Sequence, residues 1–160
     1  MEVIIPIGIS GSGKSRLYKK KYSHLTLVSG ELICKEMYGR INAYHKLNEV
    51  RNEINRRVGE LIEKGESFYY DGYTIDTHRR KNISDMFRGK DIKVIYLLLP
   101  SDVEVCEKRI KEDIKNNVER ANVSGITLKI QLHFYKESLE NNFEGENVQE
   151  IIYLKEEDLK

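Results

Sequence analysis

Short runs of hydrophobic residues alternate with longer amphipathic stretches along the chain. The runs predict five strands, several of them hydrophobic throughout, as expected when both faces of a sheet are covered. The predicted strands are Glu2–Gly8, Leu25–Ser29, Ser67–Asp71, Ile92–Leu99 and Val148–Leu154. Between them, hydrophobic residues recur every three or four positions, which predicts helices. The predicted helices are Lys14–Lys21, Glu31–Tyr38, a long one through Leu47 and Leu61, Thr77–Arg88, one from Val103, and Ile126–Glu140.

Strand and helix alternate throughout, so the fold class is α/β, a three-layer sandwich on a parallel sheet. Gly65 is the expected C-cap residue of the long helix. Ser101 and Glu104 have the spacing of a capping box at the start of the helix from Val103. Pro6 fits its strand poorly, because proline cannot donate a ladder hydrogen bond. The strand is kept because the glycine-rich segment after it requires one.

Length and charge limit the classes of function. The 160 residues predict one domain, 1–160. A formal net charge of +1 gives no global positive field that would attract duplex DNA. The chain has no hydrophobic run of about 18 residues, so no membrane span is predicted. The beginning of the chain lacks the pattern of a signal peptide, so we expect a cytoplasmic protein.

The cysteines and histidines predict no metal site. Cys34 and Cys106 lack the spacing of zinc ligands. The histidines show no ligand spacing either, and they are His24, His45, His78 and His133. Two scattered thiols fit a reducing compartment.

The segment Gly8–Ser15, GISGSGKS, matches the phosphate-binding loop pattern G-x-x-x-x-G-K-[ST] in full. Its glycines allow backbone conformations in which successive N–H groups turn toward one phosphate, at the positive end of the following helix. Lys14 is expected to reach the β- and γ-phosphates of ATP, and the Ser15 hydroxyl to bind Mg²⁺. The predicted ATP-binding residues are Ser10, Gly11, Ser12, Gly13, Lys14, Ser15 and Arg16.

Two acidic residues follow predicted strands at the edge of the sheet where ligands bind. Asp71 is either a second Mg²⁺ ligand or a turn residue before Gly72. Glu31 is either an acid favoured by a helix dipole or a functional group, which accepts a hydroxyl proton from the substrate or holds a sugar or phosphate-bearing substrate in line. The working prediction is catalysis for Glu31 and metal binding for Asp71.

Several cationic and aromatic residues near these acids are candidates for binding the acceptor. Arg40 follows Gly39 in a break between helices and suits bidentate phosphate recognition, although a solvent-facing charge is the alternative. Tyr73 is a candidate for stacking on a base. The predicted acceptor-binding residues are Glu31, Arg40, Tyr73 and Arg80.

The polar stretch after the fourth strand predicts a lid at about 109–125. Lys108 and Arg109 lie where the predicted lid begins, and Arg120 lies within it. Phosphoryl transfer spreads negative charge over the moving group, which a lid arginine stabilises. Arg109 and Arg120 therefore join Lys14 and Glu31 as predicted catalytic residues.

The order GISGSGKS, VSGEL, YYDGYTIDTHRRK and LLLPSDVEVCEKR resembles the P-loop kinases related to polynucleotide 5′-kinase and phage deoxynucleoside monophosphate kinases. The resemblance covers Glu2 to about Glu140 and implies an adenylate-kinase-like sheet of strand order 2-3-1-4-5, with ATP and Mg²⁺ as cofactors. It departs from the family at Glu31, where an Asp is usual, and at Ile110, where an Asn is usual. Arg120 matches the second lid arginine across a longer spacing.

Three functions follow from these features. The first is a kinase that phosphorylates a (deoxy)nucleoside 5′-monophosphate. The second is a polynucleotide 5′-hydroxyl kinase acting on a single-stranded nucleic acid end, and the third is an ATP-binding regulatory protein without transfer activity. The oligomeric state stays open, with a homodimer or paired subunit among the alternatives.

Overall fold

The computed structural model describes residues 1–160 and has a five-stranded parallel sheet at its centre. The strands are β1 (Glu2–Ile7), β2 (Thr26–Ser29), β3 (Phe68–Asp71), β4 (Lys93–Leu98) and β5 (Glu150–Tyr153). They lie in the order β2-β3-β1-β4-β5. The predicted fold class and strand order are confirmed.

Six α-helices connect or flank these strands. They are α1 (Lys14–Leu17), α2 (Gly30–Tyr38), α3 (Leu47–Lys64), α4 (Thr77–Ser84), α5 (Val103–Lys115) and α6 (Gly125–Leu139). A π-helical turn at Tyr18–Tyr22 extends α1, and short 3-10 helices span Tyr44–Lys46, Asp85–Phe87 and Glu156–Leu159. None of the helices is both long and apolar enough to cross a membrane.

Both faces of the sheet are covered, because successive side chains of a strand point to opposite faces. Val94, Tyr96 and Leu98 of β4 join a cluster of 24 buried residues, whereas Ile95 and Leu97 join a cluster of 7 on the other face. The larger cluster holds residues of α2 to α6, and the smaller one holds Leu17 of α1 and Leu159 of the last 3-10 helix. This alternation explains why the strands read as continuous hydrophobic runs.

Pro6 has no N–H group, and it fits within β1 because no strand residue pairs with it on the β3 side. The β1–β3 register pairs only Val3 and Ile4, so that ladder ends before Pro6. The buried hydroxyl of Thr74 donates to the Pro6 carbonyl at 2.9 Å, on the side where a third pair would lie. The Pro6 carbonyl is therefore paired although the β1–β3 ladder has ended.

The predicted capping box at α5 is wrong. Asp102 is the N-cap residue, and its carboxylate accepts from the Val105 N–H at 2.9 Å. The Ser101 hydroxyl instead accepts from the Ile9 N–H at 3.3 Å, in the glycine-rich segment. Gly65 ends α3 with φ of 65°, as predicted for its C-cap.

Candidate active site

The segment Gly8–Ser15 follows β1 directly and leads into α1. Five of the six N–H groups of Gly11–Arg16 donate to no atom of the protein. They belong to Gly11, Gly13, Lys14, Ser15 and Arg16. Unpaired backbone donors gathered at a helix start form an anion-binding concavity. The loop therefore has the donors that a polyphosphate requires.

Close packing forces glycine at two positions of this loop. A Cβ on Gly8 would lie 2.5 Å from the Ser12 hydroxyl oxygen, and Ser12 is itself fully buried. A Cβ on Gly11 would lie 2.7 Å from the Cys106 carbonyl oxygen, and Gly11 has φ of 77°. The loop is thus pressed against α5, and a side chain at Gly11 would displace it.

Side chains from distant elements hold the loop from outside. Gln131 of α6 accepts from the Ser10 N–H at 2.9 Å, and Gln131 is buried. Arg109 of α5 donates to the carbonyl oxygens of Gly11 at 3.4 Å and Ser12 at 3.3 Å. These contacts use groups on the outside of the loop and leave its unpaired N–H groups free for a ligand.

Lys14 lies over the loop that precedes it. Its ammonium donates to the carbonyl oxygens of Gly8 at 2.9 Å and Ile9 at 3.2 Å. Burial lowers the pKa of Lys14, and the negative charge of Asp71 opposes that shift. An anionic ligand would raise the pKa of Lys14 again, because a nearby negative charge favours the charged ammonium.

Ser15 and Asp71 form an oxygen pair suited to a magnesium site. The Ser15 hydroxyl donates to the Asp71 carboxylate at 3.0 Å. Parallel pairing puts Asp71 opposite Ser29, so both lie at the carboxyl edge of the sheet. No group of three or more His, Cys, Asp or Glu residues could hold a metal by itself. Mg²⁺ commonly keeps its waters and uses one or two protein ligands plus substrate phosphates, and these residues fit that donor set.

Glu31 lies in the first turn of α2, where the Ser29 hydroxyl caps the helix by accepting from the Leu32 N–H at 3.4 Å. The pKa of Glu31 is raised, first by partial loss of solvent around the carboxyl and second by the charge of Asp71. Lys14 and Arg120 act on it in the opposite direction. The structure therefore brings Glu31 into the field of the phosphate-binding residues.

The predicted lid comprises the second half of α5 and the loop 116–124. Arg120 pairs with Asp113 at 2.6 Å, and its charge affects the pKa of both Lys14 and Glu31. Glu119, beside it, pairs with Lys35 of α2. The loop is thus tied to α2, and Arg120 lies close enough to Lys14 and Glu31 for its charge to affect them; its action from a lid stays a prediction.

Arg109 contacts the backbone of the phosphate-binding loop. Its guanidinium donates to the loop carbonyls described above and pairs with Glu156 at 2.7 Å. These contacts attach the Arg109 side chain to the backbone of the phosphate-binding loop, and its catalytic role stays a prediction. Glu156 belongs to the last 3-10 helix, and no sequence motif indicated it.

Arg80 does not fit the predicted acceptor-binding role. Its side chain is fully buried and pairs with the equally buried Glu146 at 2.8 Å. It also donates to the Ser138 hydroxyl at 2.9 Å and to the Ser138 carbonyl at 3.0 Å. A guanidinium enclosed in this way joins α4 to α6 and cannot reach a ligand. This prediction is corrected.

The other predicted acceptor residues lie at the surface. Arg40 is exposed and makes no ion pair. Tyr73 is half-exposed, and the guanidinium of Arg79 lies over its ring at 4.3 Å from the centroid. Arg56 and Arg57 of α3 are engaged with Glu53, Glu60 and Glu36 and are ordinary surface charges.

Two residues of the site were missed from the sequence. Gln131 occupies a buried position on α6 between Leu128 and Tyr135, and a lone amide on a buried helical face is a usable signal. Glu156 gives none, because its partner Arg109 is 47 residues away.

Comparisons with known proteins agree with this geometry. The AAA_33 family, described as an AAA domain, matches residues 3–137. No curated protein matches the chain by sequence. Among solved structures, the chain is similar to a sugar kinase from Janibacter sp., at 18% identity and a TM-score of 0.59, covering 99% of this chain and 90% of that one.

Two further solved structures share the fold. A gluconokinase from Sinorhizobium meliloti aligns at 17% identity and a TM-score of 0.55, covering 96% of this chain and 81% of that one. A chain of the Pnkp1/Rnl/Hen1 RNA repair complex aligns at 15% identity and a TM-score of 0.68, covering 85% of this chain and 45% of that one. At these identities the likeness concerns the fold, which is that of a kinase-like P-loop domain.

Proposed function

The chain belongs to the AAA_33 family, and on that premise we propose that it is an ATP-dependent kinase that phosphorylates a hydroxyl group of a nucleotide or polynucleotide acceptor. The proposal that the acceptor group is a hydroxyl rests on Glu31. Glu31 follows Ser29, which lies opposite Asp71 at the carboxyl edge of the sheet, and a carboxylate there whose pKa is raised is suited to accept a proton. A phosphate acceptor is already ionised and needs no such base.

The proposed roles follow from the geometry. The free N–H groups of Gly11, Gly13 and Lys14 bind the phosphates of ATP, and the Lys14 ammonium stabilises the charge that develops during transfer. Ser15 and Asp71 would hold Mg²⁺, which when bound neutralises phosphate charge. The acceptor oxygen forms a bond to the γ-phosphorus as the bond to the bridging oxygen of ADP breaks, and the hydroxyl proton passes to Glu31.

A second candidate acceptor is a (deoxy)nucleoside 5′-monophosphate. Arg40 follows α2 and Arg51 belongs to α3. Both side chains are exposed and make no ion pair. Arg51 is also close enough to Tyr70 to lower the pKa of that tyrosine, against the larger raising effect of burial. Two free arginines are suited to bind an acceptor phosphate.

A labelled-ATP screen separates the candidates. Nucleosides, nucleoside monophosphates and 5′-hydroxyl oligonucleotides are offered separately, with the Lys14→Ala variant as the inactive control. We expect transfer to a hydroxyl acceptor, and loss of transfer in the variant. Transfer to monophosphates alone supports the second candidate, and tight ATP binding without any transfer supports a regulatory protein.

A further inference from the structure

Tyr69 of β3 is a fully buried tyrosine whose hydroxyl reaches the phosphate-binding loop. The hydroxyl donates to the Lys14 carbonyl at 2.9 Å. That carbonyl already accepts from the Tyr18 N–H within the helix, so it does not need the hydroxyl to be paired. Packing alone does not need the hydroxyl either, since the adjacent and equally buried strand position is Phe68. The contact therefore indicates a role for the Tyr69 hydroxyl at the site.

Tyr69 and Asp71 join one face of β3 to two successive residues at the start of α1. Strand residues two positions apart point to the same face of a sheet. Tyr69 donates to the Lys14 carbonyl, and Asp71 accepts from the Ser15 hydroxyl at 3.0 Å. The Lys14 carbonyl belongs to the planar peptide unit that joins Lys14 to Ser15. Holding that carbonyl therefore fixes the point from which the Ser15 side chain starts.

Asp71 lies where β3 is paired on one side only. The pairing of β1 with β3 ends at Tyr69, whereas the pairing of β2 with β3 continues to Asp71. Tyr69 is thus the last residue of β3 that has a partner on both neighbouring strands. Ser15 is exposed and Asp71 is half-buried, so burial alone does not fix their separation. The Tyr69 contact joins α1 to the part of β3 that is held best.

Aromatic packing fixes the direction of the Tyr69 hydroxyl. The rings of Tyr18 and Tyr22 lie with their centroids 5.2 Å and 5.5 Å from that of Tyr69. Both residues belong to the π-helical turn that extends α1, so the Tyr69 ring is enclosed between the sheet and this turn. A ring enclosed in this way directs its hydroxyl to one place, which is the Lys14 carbonyl.

We propose that Tyr69 is a positioning residue that sets the separation of the Ser15 hydroxyl and the Asp71 carboxylate for Mg²⁺, which rests on the function proposed above. Mg²⁺ requires nearly ideal octahedral geometry with ligands at about 2.0–2.1 Å, so a small displacement of one ligand weakens its binding. Ca²⁺ accepts variable geometry at about 2.3–2.6 Å and tolerates such a displacement better. The Tyr69 hydroxyl therefore matters more for Mg²⁺ than for Ca²⁺.

The experiment is calorimetry of ATP binding in EDTA, in saturating Mg²⁺ and in saturating Ca²⁺. The test variant is Tyr69→Phe, which keeps the ring and removes the hydroxyl. The matched control is Tyr96→Phe, because Tyr96 is an equally enclosed strand tyrosine whose hydroxyl donates to Glu146 at 3.0 Å, on the other face of the sheet. Urea unfolding of each protein measures the effect on stability.

We expect Mg²⁺ to tighten ATP binding by the wild type, and Tyr69→Phe to lose about three- to tenfold of that gain, the range that one hydrogen bond supplies. Its affinity for ATP in EDTA should stay within about twofold of the wild type, and its gain from Ca²⁺ should fall less than its gain from Mg²⁺. Tyr96→Phe should lose stability and keep the full gain from Mg²⁺. An equal loss of that gain in both variants, or in neither, would overturn the proposal.

A double-mutant cycle tests whether Tyr69 acts through the Ser15–Asp71 pair. Asp71→Ala should itself reduce the gain from Mg²⁺. Adding Tyr69→Phe to Asp71→Ala should reduce it no further, because the hydroxyl then has no carboxylate to align. Independent, additive losses would refute a positioning role.

This proposal and the proposed reaction fail separately. If Tyr69→Phe shows the expected loss but no acceptor is ever phosphorylated, the positioning role stands and the proposed reaction is wrong. If the wild type phosphorylates an acceptor while both proteins gain equally from Mg²⁺, the reaction stands and the positioning role is wrong.

Discussion

The buried Arg80–Glu146 pair gives the sharpest test of the structure, because the sequence assigned Arg80 to the acceptor site. Both side chains are fully enclosed, and Arg80 donates to Glu146 through Nε at 2.8 Å and Nη2 at 3.1 Å. Tyr96 donates to the same carboxylate at 3.0 Å. Replacing Arg80 by Met therefore leaves a buried carboxylate that has lost its cation.

The magnitude follows from the burial. Removing one partner of a buried ion pair costs about 3–5 kcal/mol, because the remaining charge is uncompensated. At roughly 2–4 °C per kcal/mol for a chain near this size, the midpoint of thermal unfolding should fall by about 6–20 °C. The double variant Arg80→Met with Glu146→Leu removes both charges and should recover most of the loss.

Urea unfolding followed by circular dichroism measures these free energies. Arg88→Ala is the matched control, since Arg88 pairs with Asp85 at 2.8 Å at the surface and should change stability by less than about 1 kcal/mol. KM for the acceptor should stay unchanged in a folded Arg80→Met protein. A variant of wild-type stability with a raised acceptor KM would refute the reasoning and restore the original assignment.

Three further predictions test the site. Gly11→Ala should abolish MgATP binding in calorimetry, because its Cβ would meet the Cys106 carbonyl at 2.7 Å; unchanged binding would contradict the loop geometry. In the wild type, kcat should fall as the pH drops through the raised pKa of Glu31, since a base must be ionised to accept a proton. The Glu31→Gln variant should be slow, and its kcat should not show this dependence on pH. Arg109→Ala should raise KM for ATP more than it lowers kcat, with Glu156→Gln intermediate; a pure kcat effect would instead give Arg109 a role in transfer.

The sequence predicted best what is local. The phosphate-binding loop is one contiguous segment, and each of its requirements, from the glycines to Lys14, is met within eight positions. Asp71 could be predicted because the carboxyl ends of parallel strands meet at one edge. Strand order was implied by resemblance, since hydrophobic runs indicate strands but not their neighbours.

Long-range partners explain the errors. Arg80 was predicted to be a cation free to bind the acceptor because its partner Glu146 lies 66 residues away along the chain. The ion pair of Arg109 with Glu156 was likewise not indicated by the sequence, because Glu156 belongs to a segment without a motif. In both cases a charge whose counter-ion is distant in sequence looks free until the fold brings the two together.

The ion pairs of the arginines also help to distinguish the two candidate acceptors. Arg56, Arg57 and Arg80 are engaged with carboxylates, so the arginines that an acceptor phosphate could use on this side are fewer than the sequence suggests. A monophosphate carries up to two negative charges and would enter near Glu31 and Asp71, which repel it. The hydroxyl that reacts is itself uncharged, while a nucleotide or polynucleotide acceptor carries its phosphates elsewhere, and this hydroxyl supplies the proton that Glu31 is suited to accept. The same carboxylate that opposes one acceptor therefore favours the other.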